Sequence, residues 1–575
     1  MSTPRPEYGA GVGAGARTAG AGAAGAGAAG ASGAGVGAGA AGAGAAGAAR
    51  VNGGQLMADA LRREGVTHLF GLGGGHINPT WWAAPGAGIK IVDVRHEAAA
   101  AHAAEGWSLA TGDVGVCIVT AGPGLTNAVT GLANALNNGS PMVCLAGSAT
   151  LRGQDTGEVE MIDQLSIAHT VTKWARRVYH IDRIPEYVAM AFKEARSGRP
   201  GPVYLEVPID LIHSDVAASD VVWPALMAPQ RQLPSPALVA QAAELLSSAA
   251  RPAVVAGSGV WWSHAAAELR AFVEHIGIPL VTRQSARGTV PDDHPLCFGN
   301  DWQSVVYRAD TLLVVGKQLD YFFGYGYFPH LEHLIQVDVN PVEIGRNRVP
   351  VRVGIVGDAG ATLSELTGAM KPLATDEWVA SLRSAASGTE AGKAALAASD
   401  EAPVHPMRVV RELQSLLRRD ATVVADASNM LMWANAGISA FTGGCNPAMS
   451  NLGCIGHGVA FALAAACARP GTQVVWLVGD GSFGFNAMEL DTAARFGLPI
   501  TTVILNNLGW SAQWVPLGVR HYERLAPGFD GIGELVTEPS ELRPALERAL
   551  AFDGPSIVNV LVEPEPEYFP GRYLG

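Results

Sequence analysis

The run VVWLV beginning at Val474 is apolar, β-branched and aromatic throughout, which predicts a strand buried on both faces. From Asn486 to Phe496 the apolar positions Ala487, Leu490 and Ala494 recur at helical spacing, and Gly497 and Pro499 stop the helix. ITTVIL is a second buried strand, ending at Asn506. Strand, helix, strand is a βαβ crossover, so the two strands run parallel. Ligands of such sheets bind beyond the carboxyl ends of the strands. Asp480 and Asn507 therefore emerge on one rim.

The same alternation fills most of the chain. From about Val51 to Asp215, GGQLMADALRREG reads as an amphipathic helix and VTHLFGL as a strand. IKIVDVRHE reads as a strand ending at Glu97, which opens the Ala-rich helix AAAAHAAEGWSLATG. VGVCIVT and PMVCLAGS are strands flanking the helix LTNAVTGLANALNNG. A proline-rich stretch, VVWPALMAPQRQLPSPALVA, breaks the rhythm and marks a linker. A second unit, residues 235–370, carries the strands PAVVAG, IPLVT, DTLLVVG, HLIQVDV and VGIVG. Residues 371–405 are Ala/Ser/Glu-rich with little strand character and are expected to connect domains. A third unit, residues 406–563, holds the opening βαβ. The expected fold class is α/β, with three consecutive doubly wound parallel-sheet domains.

Composition removes several alternatives. Residues 9–49 are almost entirely Gly and Ala without collagen's strict period, so residues 1–50 are expected to be disordered. No charged and Leu-rich leader is present, and no later run is long and apolar enough to span a membrane. The formal charge is −13 with no basic stripe, which argues against nucleic acid as a partner. The six cysteines are scattered and form no C-x-x-C, which fits reduced thiols and a cytoplasmic location.

Two readings compete for Gly479-Asp480-Gly481-Ser482. With Gly484, the glycines fit the dinucleotide fingerprint. That fingerprint wants an acid about 20 residues on to hold a ribose; here the second strand ends in Asn506-Asn507. A carboxylate between the glycines would also repel a bare pyrophosphate. A divalent cation between them removes the repulsion. Asp480, the Asn507 side-chain oxygen and a nearby backbone carbonyl supply hard oxygen donors of the kind Mg²⁺ takes, while glycine-loop N–H groups face the phosphates. The metal-diphosphate reading is preferred.

GDGS followed by Asn-Asn, with Asn507 27 residues beyond Asp480, resembles the thiamine-diphosphate (ThDP) motif. Everything after residue 50 resembles the three-domain arrangement of the pyruvate-oxidase-like ThDP enzymes: pyrimidine-binding, central and diphosphate-binding. The resemblance implies that Asp480, Asn507 and the Gly509 carbonyl hold Mg²⁺ and that Gly481 and Ser482 contact the diphosphate. It also implies that Glu97, in RHEAAA, is the carboxyl facing the cofactor's pyrimidine. On its own, Glu97 reads equally as an acid favoured at a helix N-terminus. Ile455, in NLGCIGHG, matches the bulky residue that props the cofactor into a bent form. Ser428 and Asn429 are further cofactor contacts. In this family the glutamate and the metal motif come from different subunits, which implies a homodimer or homotetramer.

The substrate side is read from smaller matches. GGQL, HLFGL, GGHI, RHEAAAAHAAEG, VTAGPGLTNAVT and TKWARRV resemble benzaldehyde lyase, and His76 falls on that group's active-site histidine. Trp510 and Ala512 follow the same pattern. Acetolactate synthase is the rival, but its A-F-Q-E-x-D stretch reads Glu158 to Asp163 here, and its Met and Trp are Ala512 and Pro516. Its flavin-contacting arginine is Gln318, so FAD is not expected. HLIQVDVNPVEIGRN resembles the nucleotide-binding edge of 2-hydroxyacyl-CoA lyase and oxalyl-CoA decarboxylase, with Asp338 at the ribose position. The expectation is a ThDP- and Mg²⁺-dependent carbon–carbon lyase or carboligase acting on small carbonyl compounds: aldehydes, acyloins or 2-oxo acids. Glu97 would drive cofactor activation and His76 would relay protons. The alternatives are a CoA-thioester lyase or decarboxylase, an inactive cofactor-binding regulatory subunit, and a nicotinamide dehydrogenase.

Overall fold

The computed structural model describes residues 49–226, 230–426, 429–446, 451–510 and 515–564. Three parallel sheets follow one another along the chain. The first has six strands in the spatial order Lys90–Asp93, His68–Gly71, Gly115–Val119, Met142–Ser148, Pro202–Pro208, Trp174–Arg177. The chain runs outward from the His68 strand to the Lys90 strand, then returns to the other side at Gly115. The reversal opens a crevice between the His68–Gly71 and Gly115–Val119 strands, where ligands of open α/β sheets bind. The second sheet has five strands: Leu280–Thr282, Pro252–Ala256, Thr311–Val315, His333–Asp338, Val353–Val356. The third has the order Thr422–Ala425, Val474–Gly479, Ile500–Asn506, Ser556–Leu561, Ile532–Val536. Its Val474 and Ile500 strands pair in parallel, residue for residue, as the opening pattern predicts.

Three local predictions need correction. The IKIVDVRHE strand ends at Asp93, and Glu97 is the first residue of a helix, Glu97–Thr111. The His96 side chain caps that helix by accepting the Ala98 N–H, so the chain leaves the sheet four residues early. The glycine-rich stretch is already helical, over Asp480–Asn486, followed by Glu489–Arg495. Gly479 is extended (φ −83°, ψ 156°) and ends the strand, so Asp480 and Gly481 lie in the first helical turn. Residues 371–405 contain a long helix, Asp376–Ala397. Its Trp378 and Leu382 are buried against the second sheet, and the Trp378 indole donates to the Pro252 carbonyl at 3.0 Å. That segment is part of the central core as well as a connection.

The Glu97 helix joins the first and third sheets. Ala99, Ala100, Ala103 and Ala104 share a core cluster with Ala460 and Ala464 of the helix Gly458–Ala468. Gly106 lets the helices cross closely, since a Cβ there would lie 2.8 Å from the Phe461 Cα. An all-round small-residue helix is the form that suits burial on every side. Among the described residues no helix is long and apolar enough to cross a membrane. All six cysteines are unpaired thiols.

Candidate cofactor site

At the carboxyl edge of the third sheet, oxygen atoms converge. The Asn507 side-chain oxygen lies 3.0 Å from Asp480 Oδ1 and 3.0 Å from the Gly509 carbonyl oxygen. Leu508, between them, has φ +69°, a left-handed turn that a residue with a side chain adopts only under constraint. Three acceptors at such separations repel one another. Turning the amide would let its NH₂ donate to both oxygens, and a cation at their centre would satisfy all three as they stand. Asp480 is buried, and its Oδ2 has no hydrogen-bond partner among the described residues. Burial pushes the Asp480 carboxyl up to about 6, against the pull of N–H groups on Gly481, Asp480, Gly509 and Leu508. A bound divalent cation would reverse that penalty. The donors fit Mg²⁺ in type: one carboxylate, one amide, one carbonyl. Among the described residues no cluster of three His, Cys, Asp or Glu side chains could hold a metal.

The surroundings are closely packed. The Trp510 ring lies over Gly481, where a Cβ would come within 2.9 Å of it. Ser482 is buried one residue on. Ile455 is half-buried in the segment before the Gly458 helix. That segment is pinned from two sides. Asp426 accepts the Gly456 and Gly458 N–H groups at 2.9 and 3.1 Å, and Asn486 donates to the Gly456 carbonyl at 2.7 Å. Gly456 has φ +75°, and a Cβ there would collide with Phe485. Asn429 opens the helix Asn429–Gly437. Ser428 and Ala512 lie outside the described residues.

The other group lies at the carboxyl edge of the first sheet. Glu97 is buried, only 6% exposed; among the described residues no cationic side chain pairs with it, and Asn127 donates to its Oε2 at 2.9 Å. The approach to Glu97 is fixed by Glu489 of the third domain, which accepts the Arg95 N–H at 2.9 Å. His76 is also buried, with Nδ1 3.0 Å from Glu160 Oε2. Gln318, at the edge of the central sheet, donates its amide to Glu343 at 2.9 Å. Asp338, in the same region, accepts the Asn340 N–H at 2.8 Å, and burial raises its carboxyl to about 6.

Comparison with known proteins places this geometry. Residues 51–167 match the N-terminal TPP-binding domain of thiamine pyrophosphate enzymes, residues 239–366 their central domain, and residues 426–560 their C-terminal TPP-binding domain. The chain belongs to the thiamine pyrophosphate enzymes. It is 38% identical over 538 residues to the acetolactate synthase large subunit IlvG of Mycobacterium tuberculosis, covering 90% of this chain and 97% of that one. It is 29% identical to human 2-hydroxyacyl-CoA lyase 1 (90% and 95% covered) and 30% identical to Escherichia coli oxalyl-CoA decarboxylase (89% and 95%). It is a thiamine-diphosphate-dependent enzyme, of a family whose reactions cleave or join carbon–carbon bonds or remove carboxylate groups.

In this thiamine pyrophosphate enzyme the oxygen cluster lies within the C-terminal match and Glu97 within the N-terminal one. Sequence reasoning missed the residues that aim these groups. Asn127, Asp426, Glu489 and Glu160 act across 30 to 394 positions of chain. No local spacing announces such pairs. Glu160 had one signal, a carboxylate standing where the acetolactate synthase pattern has Gln.

Proposed function

We propose that this enzyme uses ThDP and Mg²⁺ to make or break a carbon–carbon bond beside a carbonyl, with aldehydes, acyloins or 2-oxo acids as substrates. The observation that supports the cation is the meeting of the Asp480 carboxylate, the Asn507 side-chain amide and the Gly509 carbonyl. These residues would hold Mg²⁺ against the diphosphate, with the backbone of Gly481 and Ser482 beside it. Bound ThDP supplies a nucleophilic carbon and an electron sink. The chain's own work is then positional. Glu97 would exchange a proton with the pyrimidine ring nitrogen. Its burial beside a neutral partner keeps that exchange away from bulk water, and a carboxyl is most effective in such a low-dielectric setting. Ile455, held by Asp426 and Asn486, would support the cofactor from below.

The proposed assembly is a homodimer or homotetramer, and the surface near these groups supports it. Val159, Phe485 and Met488 are 77%, 57% and 54% exposed in the single chain. Large apolar side chains so exposed beside a polar site mark an interface. Reduced cysteines fit a cytoplasmic enzyme. The CoA-thioester reading keeps one specific support, the likeness to 2-hydroxyacyl-CoA lyase and oxalyl-CoA decarboxylase over about nine-tenths of the chain.

Purified protein with ThDP and Mg²⁺ should be offered pyruvate, benzaldehyde, benzoin and a 2-hydroxyacyl-CoA separately, with products identified by mass spectrometry. Turnover of one of the first three is expected. Turnover of the CoA ester alone transfers the reading to the alternative. ThDP binding without conversion of any of them contradicts an active enzyme.

A further inference from the structure

Glu160 is placed at unusual cost. Its φ is +60°, a left-handed conformation worth roughly 1–2 kcal/mol for a residue with a Cβ. The neighbouring loop holds it there. A Cβ on Gly122 would lie 2.6 Å from the Glu160 carbonyl oxygen, so the two backbones touch. Gln164 fastens the contact: its Oε1 accepts the Gly122 N–H at 2.5 Å, and its Nε2 donates to Glu206 at 2.8 Å. Strain maintained by a dedicated clamp points to a use for the side chain.

That side chain faces the crevice of the first sheet. Thr120, just past the Gly115–Val119 strand, donates to Glu160 Oε2 at 2.8 Å. His76, past the His68–Gly71 strand, brings Nδ1 to 3.0 Å from the same oxygen. The ring is out of good hydrogen-bond alignment, as catalytic pairs often are before ligand binds. His76 cannot retreat, because its Cβ rests on Gly147, where any side chain would collide.

We propose that Glu160 is a positioning residue for His76. It accepts the Nδ1 proton, fixes the tautomer, and leaves Nε2 to give or take a proton at a substrate oxygen. Thr120 holds the carboxylate in register. The role rests on the carbonyl-ligation reading above.

The test uses the full chain with ¹⁵N-labelled histidine, first without cofactor. His76 resonances are assigned with His76→Gln. In wild type the Nδ1–H form is expected, and in Glu160→Ala a shift toward the Nε2–H form. In steady-state kinetics with ThDP and Mg²⁺, Glu160→Ala should lower kcat about 10²-fold, the lower end for a general acid–base group. The KM for ThDP should stay within about twofold, and Glu160→Gln, which keeps an acceptor oxygen, should recover part of the loss. An unchanged His76 tautomer, or equal loss of cofactor binding and catalysis, overturns the proposal and makes Glu160 a loop anchor. If wild type converts no carbonyl substrate, the function reading fails, while the cofactor-free spectra still decide the His76–Glu160 pairing.

Discussion

The carboxyl edge of the third sheet and that of the first are built from different materials. At the third, backbone does much of the work: a carbonyl on Gly509, N–H groups around Asp480, and glycine where Trp510 lies. At the first, side chains do it: Glu97 against Asn127, His76 against Glu160, Glu160 against Thr120. A diphosphate presents the same oxygens, and a cation takes the same kind of oxygen donors, in every enzyme that binds them, and a fixed backbone suits a fixed ligand. Proton transfers and substrates differ, and side chains on separate loops can be changed one at a time. On the proposed function, the contrast would give binding to one edge and chemistry to the other.

Substitutions can separate the two. The largest effect is expected from Asp480→Ala, which should remove Mg²⁺-dependent ThDP binding, read by titration calorimetry as a loss of at least about 10³-fold. Glu97→Gln keeps the shape and should lower kcat by about 10³-fold or more, while ThDP affinity stays near wild type. If both lose binding equally, the division between the edges is wrong.

Acid provides a graded version of the first experiment. A proton and a cation compete for Asp480, whose carboxyl sits at about 6 in the cofactor-free chain. The value is raised, so without metal the contribution of this group to stability falls as pH rises through 6. Cation binding has the opposite sign because it needs the ionised form. Mg²⁺-dependent affinity should therefore rise about tenfold per pH unit up to about 6 and then level off. A flat profile between pH 5 and 7 would remove Asp480 from the metal site. The smallest effect is expected from Glu489→Ala. It leaves the Arg95 N–H without its acceptor, at a cost of about 1–3 kcal/mol. A lowered Tm with a several-fold lower kcat and unchanged ThDP affinity would show that Glu489 serves the Glu97 edge.

The same contrast explains what was legible in the sequence. The strands in VVWLVGDGS and ITTVILNN read directly, because buried parallel strands are continuous apolar runs, and the proposed metal donors follow them at once. Glu97 was proposed through its motif, although the strand before it stops at Asp93. The helix Asp376–Ala397 was missed as a core element because its Ala/Ser-rich sequence buries only a few large residues, Trp378 and Leu382 among them. Glu160 could not be placed from sequence, since its position depends on Gly122 and Gln164 packing around a strained loop. Residues defined by local backbone leave a pattern; residues defined by distant loops do not.

The most direct measurement is a calorimetric titration of ThDP, with Mg²⁺ present, into Glu97→Gln and Asp480→Ala side by side. A near-wild-type isotherm for Glu97→Gln and none for Asp480→Ala is the predicted result. Retained binding in Asp480→Ala would contradict it.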